Sequence, residues 1–308
     1  MANLLSVPVG FGAGTRMTSS DQVVAEAQWA EAAGFDSFWV SQVFGVDPIV
    51  ALAAAGARGS GLARLGTSVV PLTGRHPLAL AAQARTAQSA LDGRFVLGVG
   101  PSHAMVSEGF FGEPYDRPFT RTQEFLYALA PLLRGENIDI HGDIVEAHGW
   151  LTIDAPPCPL LLAALGPRML DLAGRMTAGT TLSSCGPRTI AHHVAPVITA
   201  AAADAGRPTP QIQAMVEVAV TDDPAKAHAE SVKSGQLYDA LPAYRRVLDL
   251  EGVESGADLL LAGSINRIED GLRSYVEAGA TELRLCIGSS DQQVIGATRD
   301  ALGTLLAG

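Results

Sequence analysis

Short apolar runs alternate with amphipathic or alanine-rich segments along the whole chain. The runs lack polar alternation, which is typical of strands buried on both faces of a parallel sheet. The segments between them carry apolar residues at helical spacing or follow a helix-start signal. Eight runs are predicted to be strands: residues 4–12, 35–42, 63–72, 94–100, 160–165, 179–184, 211–220 and 282–288.

Helix signals fill the spaces between these strands. Asp47-Pro48 and Asp223-Pro224 each combine an N-cap residue with a proline that suits the first helical position. Residues 101–118 are predicted to be irregular, and residues 137–154 to form an antiparallel hairpin. The predicted helices cover residues 19–33, 49–57, 77–91, 120–133, 189–205, 238–250, 267–278 and 292–306, of which 238–250 is interpreted as an insertion.

The order of these elements predicts an α/β fold. Eight strands that alternate with helices over about 300 residues are typical of a (β/α)8 TIM barrel, here with insertions. A doubly wound open sheet is the alternative. No low-complexity linker divides the chain, so residues 1–308 are interpreted as a single domain.

Composition favours a globular protein that acts on small molecules. The 308 residues are 47% hydrophobic and carry a formal net charge of −11. An acidic surface argues against nucleic acids and anionic membranes as partners. The three cysteines show neither metal spacing nor a disulfide framework, and no apolar run reaches membrane-spanning length. Since the N-terminus lacks a basic signal-peptide region, the expected location is the cytoplasm.

Two Gly-Pro-Arg tripeptides suggest an anion-binding corner. Residues 166–168 follow the fifth predicted strand and residues 186–188 follow the sixth, and each tripeptide opens a predicted helix. The free N–H groups of a helix N-terminus carry partial positive charge, and arginine adds a full charge. Two neighbouring joints of this kind would bind an anion. The alternative is that each Gly-Pro step only marks the beginning of a helix and that the arginines face solvent.

His103 and His76 are the candidate acid–base groups, because histidine titrates near neutral pH. They follow the fourth and third predicted strands, and in a barrel such loops share the functional end. The alternative is a surface histidine that caps a helix or bonds locally. His141 and His148 lie in the predicted hairpin without metal-ligand spacing such as HExxH, so no metal site is expected.

Several segments together resemble the luciferase-like monooxygenase superfamily, in the branch that uses the deazaflavin coenzyme F420. These segments are residues 33–54, 66–103 and 162–180. The most specific is 66–103, where a helix leads through Leu-Asp-Gly-Arg-Phe into Leu-Gly-x-Gly. The resemblance is weakest over residues 238–264. It implies a (β/α)8 barrel, a homodimer, a small-molecule substrate and F420 across the carboxyl ends of the strands.

The resemblance also implies a cofactor site. Ser68 and Val69 match the position of a non-prolyl cis peptide behind the deazaflavin ring. Val99 and Gly100 match residues that line the cofactor after the fourth strand. The loop that holds the cofactor phosphate in the family is matched by Leu165, Gly166, Arg168 and Met169.

Two positions depart from the sugar-phosphate dehydrogenases of that branch. Those enzymes have Asp-His after the second strand and Glu after the fourth-strand glycine, whereas this chain has Gln42-Val43 and Pro101. Gln42 can hydrogen-bond the cofactor ring but cannot transfer a proton. Sugar-phosphate oxidation is therefore not expected. Hydride transfer to an alkene, imine or carbonyl stays open, with a proton from water, the substrate or His103.

Three functions follow as hypotheses. The first is an F420-dependent oxidoreductase of a small organic substrate, homodimeric through the apolar helices at residues 49–57 and 77–91. The second keeps the barrel and uses FMN with oxygen as a monooxygenase. The third is a deazaflavin-binding protein without catalysis.

Overall fold

All eight predicted apolar runs contain a strand. The computed structural model describes residues 6–13, 17–42 and 44–307, so Val43 and the first two residues of the predicted strand 4–12 lie outside the described residues. The strands are β1 Val9–Gly12, β2 Ser37–Val40, β3 Arg64–Thr67, β4 Val70–Pro71, β5 Phe95–Gly100, β6 Ile138–His141, β7 Glu146–Gly149, β8 Leu160–Leu162, β9 Gly179–Leu182, β10 Gln211–Val220, β11 Leu261–Gly263 and β12 Glu282–Ile287.

Eight of these strands close into a parallel barrel. Their order is β1, β2, β3, β5, β8, β9, β10 and β12, and β12 pairs again with β1. The pairing of Gly179 with Gln211 joins β9 to β10 and completes the ring. The predicted TIM barrel is confirmed, and the open doubly wound sheet is excluded because it would leave two unpaired edges. β4 continues β3 along β5, and β11 pairs with the carboxyl end of β10.

Helices cover the outside of the barrel. The predicted caps are confirmed, since the Asp47 side chain accepts hydrogen bonds from the first turn of α2 and Asp223 from the first turn of α9. Among the described residues, every helix falls short of the length and apolar content that a membrane span requires. The helices are α1 Ser20–Ala32, α2 Pro48–Ala57, α3 Pro77–Ala90, α4 Ala104–Gly109, α5 Pro118–Leu133, α6 Pro167–Met176, α7 Pro187–Thr189, α8 Ala195–Asp204, α9 Pro224–Asp239, α10 Pro242–Glu251, α11 Ile265–Glu277 and α12 Gln292–Ala307.

Four segments differ from the prediction in detail, one of them the short strand β11, which no predicted run covers. The region predicted to be irregular contains α4, and the predicted helix 189–205 consists of α7, a π-helical turn at Ile190–Val194 and α8. The predicted insertion helix 238–250 begins later, at Pro242, because α9 runs through Asp239 and proline suits a new helix start. The predicted hairpin is confirmed as the antiparallel pair β6–β7.

A buried polar network closes the amino-terminal end of the barrel. Glu282 accepts hydrogen bonds from the Ser37 hydroxyl at 2.7 Å and the Trp39 indole at 3.2 Å, and it pairs with Arg64 at 3.0 Å. Burial raises the pKa of Glu282, and the charge of Arg64 opposes that rise. Residues at this end of a TIM barrel contribute to stability, whereas the functional groups of such barrels lie at the carboxyl ends of the strands.

Candidate active site

The carboxyl ends of β4, β5 and β8 bring the predicted cofactor residues together. Val70 pairs with Val99 and Pro71 with Gly100. The Ala163 N–H donates to the Val99 carbonyl at 2.8 Å. A Cβ added to Gly100 would lie 3.0 Å from Val69 Cγ2, so glycine lets the two loops meet. Val69 and Gly100 therefore meet at the mouth of the barrel, by which we mean the loops after the carboxyl ends of its strands, whereas the Val99 side chain is fully buried in the core beside them.

The peptide bond between Ser68 and Val69 is cis, as the resemblance implies. The Ser68 carbonyl accepts hydrogen bonds from Arg284 Nη1 at 3.0 Å and from the Ser41 hydroxyl. Arg284 lies inside the barrel and is almost fully buried, which lowers the pKa of its guanidinium. Sequence reasoning missed Arg284, although a charged residue inside an apolar strand is a usable signal.

Gln42 lies beside Val69. Its backbone N–H donates to the Val69 carbonyl at 3.0 Å, and its side-chain oxygen accepts from Arg75 Nη2 at 2.6 Å. Arg75 also pairs with Asp47 at 3.2 Å. Within the described part of the chain, no group accepts a hydrogen bond from the Gln42 amide nitrogen, so that NH2 group is available to a ligand.

The first Gly-Pro-Arg joint is an open helix N-terminus. Gly166 is the N-cap of α6 and provides no side-chain cap. In residues 6–13, 17–42 and 44–307, the backbone N–H groups of Arg168 and Met169 have no acceptor. The Leu165 carbonyl just before the joint accepts from His193 Nε2 at 2.9 Å, which holds the loop in position. The predicted phosphate loop is thus a fixed set of free donors.

The second Gly-Pro-Arg joint is already occupied by a side chain. The Glu251 carboxylate accepts hydrogen bonds from the N–H groups of Arg188 at 3.1 Å and Thr189 at 2.7 Å. A Cβ on Gly186 would lie 2.3 Å from the Glu251 carboxyl carbon, so glycine makes room for this internal anion. The predicted corner of two anion sites is therefore wrong in this part, because one of the two helix N-termini is satisfied within the protein.

Helix α10 brings a second arginine to the open joint. Arg246 Nη1 lies 3.7 Å from the position that a Cβ on Gly166 would occupy. The Arg168 guanidinium stacks on the Phe119 ring, 4.0 Å from the ring centroid. Both arginines are exposed, so the open N-terminus of α6 is flanked by two solvated cations. Sequence reasoning missed Arg246, because its segment was interpreted only as an insertion.

His103 lies in an aromatic cluster at the barrel mouth. Its ring centroid is 5.7 Å from that of Tyr244 and 6.1 Å from that of Tyr238. Burial lowers the pKa of His103 and raises the pKa of Tyr244 to about 12. His103 is the N-cap of α4, but its side chain makes no capping hydrogen bond, so its imidazole is not engaged by that helix. Tyr244 was also missed by sequence reasoning.

His76 makes local hydrogen bonds that hold α3 and the β6–β7 hairpin. Its Nδ1 accepts from the Leu78 N–H at 3.3 Å, which caps α3, and its Nε2 lies 3.1 Å from the Glu146 carbonyl oxygen. Both ring nitrogens are therefore engaged in local hydrogen bonds, with Nδ1 as acceptor and Nε2 as donor. The arrangement matches the alternative interpretation, in which a surface histidine caps a helix and bonds locally.

The barrel mouth is apolar on the side formed by the loops after β2 and β5. The rings of Phe44 and Phe110 pack with centroids 4.7 Å apart and planes tilted by 39°, and both side chains are more than 60% exposed. Phe111 is also exposed and lies against Gly74. Pro101, which follows β5 directly, is half-buried. Exposed aromatic groups at a cleft favour contact with an apolar ligand.

A parallel barrel with its free polar groups at the carboxyl ends of the strands has the arrangement of TIM-barrel enzymes. The model of the luciferase-like monooxygenase family matches residues 4–300, and the chain belongs to this family.

Relatives and solved structures agree with this assignment. The chain is 26% identical to a 5,10-methylenetetrahydromethanopterin reductase from Methanolobus tindarius, over 82% of this chain and 78% of the relative. It is 28% identical to an F420-dependent glucose-6-phosphate dehydrogenase from Nocardia farcinica, over 92% and 93%. An F420-dependent secondary alcohol dehydrogenase, solved with an F420–acetone adduct, superposes with a TM-score of 0.81 over 97% of this chain and 98% of that chain, at 19% identity.

Proposed function

We propose that this protein is an oxidoreductase that transfers a hydride between coenzyme F420 and a small organic substrate. The observation that carries the proposal is the open N-terminus of α6, flanked by Arg168 and Arg246. A phosphate fits this place, since free backbone N–H groups, the helix dipole and two guanidinium groups all favour an anion. The F420-dependent relatives named above support this choice of cofactor.

The remaining residues fit a flat ring system. Val69 and Gly100 would form a wall behind the deazaflavin, with Val99 buried in the core beside them, and the free amide of Gln42 would donate to a ring carbonyl. Leu165 and Met169 would support the phosphate loop through their half-buried side chains. When bound, the cofactor supplies the hydride acceptor or donor, and the protein supplies position and electrostatics.

His103 is the group to which we assign proton transfer. Because its pKa is lowered, the neutral imidazole predominates at pH 7 and accepts a proton from a substrate hydroxyl as the hydride leaves. Tyr244 stays protonated in that range and can donate a hydrogen bond to the same oxygen. The proposal gives His76 no acid–base role, because both of its ring nitrogens are engaged.

The substrate in this proposal is a small alcohol, carbonyl compound or alkene with an apolar body. Gln42 and Pro101 provide no carboxylate for the chemistry of the sugar-phosphate dehydrogenases, and the rings of Phe44 and Phe110 offer an apolar contact instead. The proposal also includes a cytoplasmic homodimer. The exposed Val50 on α2 is an apolar group for its interface, and light scattering measures its mass.

Cofactor titration tests the proposal. Purified protein is titrated with F420 and, separately, with FMN, and binding is followed by the fluorescence of each cofactor. We expect saturable F420 binding, and F420-dependent turnover within a panel of secondary alcohols and unsaturated carbonyl compounds. Micromolar FMN binding without F420 binding would establish the monooxygenase alternative. Tight F420 binding without turnover on any compound would establish a binding protein without catalysis.

A further inference from the structure

Four side chains of metal-binding types share one exposed face of the β6–β7 hairpin. In its register, Asp139 lies opposite His148, and His141 lies opposite Glu146. Residues two apart on a strand and directly opposite across a pair project from the same face. All four side chains are exposed. The hairpin thus gathers residues whose sequence spacing fits no helical ligand motif.

Two imidazole nitrogens converge on one carboxylate oxygen. Asp139 Oδ1 is 2.7 Å from His148 Nδ1 and 3.4 Å from His141 Nε2. One ligand atom from each of these three residues lies within 4.8 Å of the other two. Ligand atoms around a tetrahedral zinc ion, with bonds of about 2.0–2.1 Å, are roughly 3.3 Å apart. The three donors are therefore near the separation that one ion requires.

Glu146 faces the other nitrogen of each ring. Its Oε1 is 3.1 Å from His148 Nε2 and 3.7 Å from His141 Nδ1. A carboxylate on the far nitrogen of a metal-bound imidazole fixes the tautomer and makes the ligand more basic. The contact with His148 is a hydrogen bond, whereas the longer contact with His141 is a charge contact only.

The hairpin is fixed to the barrel on two sides. The Glu124 carboxylate of α5 accepts from the N–H groups of Ile144 at 2.8 Å and Val145 at 2.9 Å, within the turn. On β7, His76 holds the backbone carbonyl of Glu146. A donor set on a rigid, hydrogen-bonded support loses little entropy when it takes a ligand.

We propose that Asp139, His141 and His148 bind a first-row divalent cation of the Zn²⁺ type, with Glu146 as a positioning residue. Two imidazole nitrogens and one carboxylate favour Zn²⁺, Ni²⁺ or Cu²⁺ over Mg²⁺ and Ca²⁺, which prefer oxygen ligands. Three protein ligands leave a coordination position for water on the solvent side. The site is separate from the barrel mouth and does not depend on the proposed hydride transfer.

Cobalt titration tests the site. Full-length protein is stripped of metal with a chelator, exchanged into clean buffer and titrated with Co²⁺, whose visible absorption reports nitrogen ligation and coordination number. Zn²⁺ and Mg²⁺ are then added as competitors. The variants are Asp139→Asn, His141→Gln, His148→Gln and Glu146→Gln. The matched control is His228→Gln, which removes an exposed histidine that also pairs with a carboxylate, Asp258 at 2.8 Å, but has no second histidine beside it.

We expect one ion per chain, displaced by Zn²⁺ and not by Mg²⁺. Each histidine variant weakens binding by at least about 100-fold and Glu146→Gln by about 10-fold, since loss of an outer-shell partner costs 10–100-fold. The His228→Gln protein binds as the parent does. Circular dichroism verifies that each variant is folded. Absence of a one-to-one complex, equal weakening in the control, or unchanged affinity in folded His141→Gln and His148→Gln proteins overturns the proposal.

Discussion

Glu251 Oε2 accepts a hydrogen bond from the backbone N–H of Thr189 at 2.7 Å, and this contact makes the two Gly-Pro-Arg joints unlike each other. Both joints begin a helix, yet α7 has its anion supplied by the protein and α6 does not. The same tripeptide thus makes a structural contact at residues 186–188 and is a candidate ligand-binding site at residues 166–168.

Replacement of this carboxylate should cost stability. We expect Glu251→Ala to lower the free energy of unfolding by about 1–2 kcal/mol, because two first-turn N–H groups lose their acceptor. Glu251→Gln keeps one acceptor oxygen and should lose less. Thermal or urea unfolding measures both. Glu254→Ala, an exposed glutamate three residues further on, is the control and should unfold as the parent does.

Cofactor affinity should depend on the arginines of the open joint. Arg168→Ala and Arg246→Ala each remove a cation beside a phosphate, and a charge-assisted hydrogen bond contributes about 1.5–3 kcal/mol, or roughly 10–100-fold in the Kd of F420. A deazaflavin that lacks the phosphate should bind both variants as it binds the parent. Arg188→Ala, at the joint that Glu251 occupies, is the matched control. Equal weakening of both ligands would assign the two arginines to structure.

The pH dependence of kcat/KM should show whether His103 or His76 acts as the base. Burial lowers the pKa of His103, so its basic form is present at pH 7 and is lost as the pH falls below the ordinary value of 6.5. We expect kcat/KM for alcohol oxidation to fall along that acidic limb. His103→Gln should remove the limb and reduce kcat/KM by about 10²–10⁴-fold. If folded His76→Gln loses the limb and His103→Gln keeps it, the assignment is reversed.

The stability of the buried network around Glu282 should depend more on a hydrogen-bond acceptor at this position than on its negative charge. Glu282→Ala removes the acceptor of the Ser37 hydroxyl and the partner of Arg64, while the Trp39 indole keeps the Ser37 oxygen at 2.8 Å, and breaking a buried pair costs about 3–5 kcal/mol. Glu282→Gln keeps an acceptor oxygen, and burial already raises the pKa of Glu282, so we expect a much smaller loss. Denaturant unfolding at pH 7 compares the two. Equal destabilisation would show that the negative charge itself is required.

The fold was predictable because its signals are local. Apolar runs, the N-caps Asp47 and Asp223, and the two Gly-Pro steps each specify a strand or a helix start within a few residues. The parallel barrel then follows from the order of elements. The resemblance also implied the cis peptide at Ser68-Val69, which the structure contains. The roles assigned to the cofactor residues stay predictions.

The site residues that were not predicted depend on contacts between segments far apart in the sequence. Glu251 meets the N-terminus of α7 from 63 residues further along the chain, and no local pattern encodes that meeting. Arg246 and Tyr244 come from the segment with the weakest resemblance, so neither pattern nor family pointed to them. The His141 and His148 pair was passed over because a helical ligand spacing was sought, whereas a hairpin register joins them.

Helix α10 carries Tyr244 beside His103, Arg246 beside Gly166, and Glu251 on α7. None of these contacts uses a barrel strand pairing. Grafting a different ten-residue helix into this place would therefore replace a residue of the proposed phosphate site, a residue of the proposed proton-transfer site and a helix cap in one event, while the sheet hydrogen bonds stay intact. The segment is a natural module for divergence, and it is the first place to exchange when a new specificity is to be engineered on this barrel.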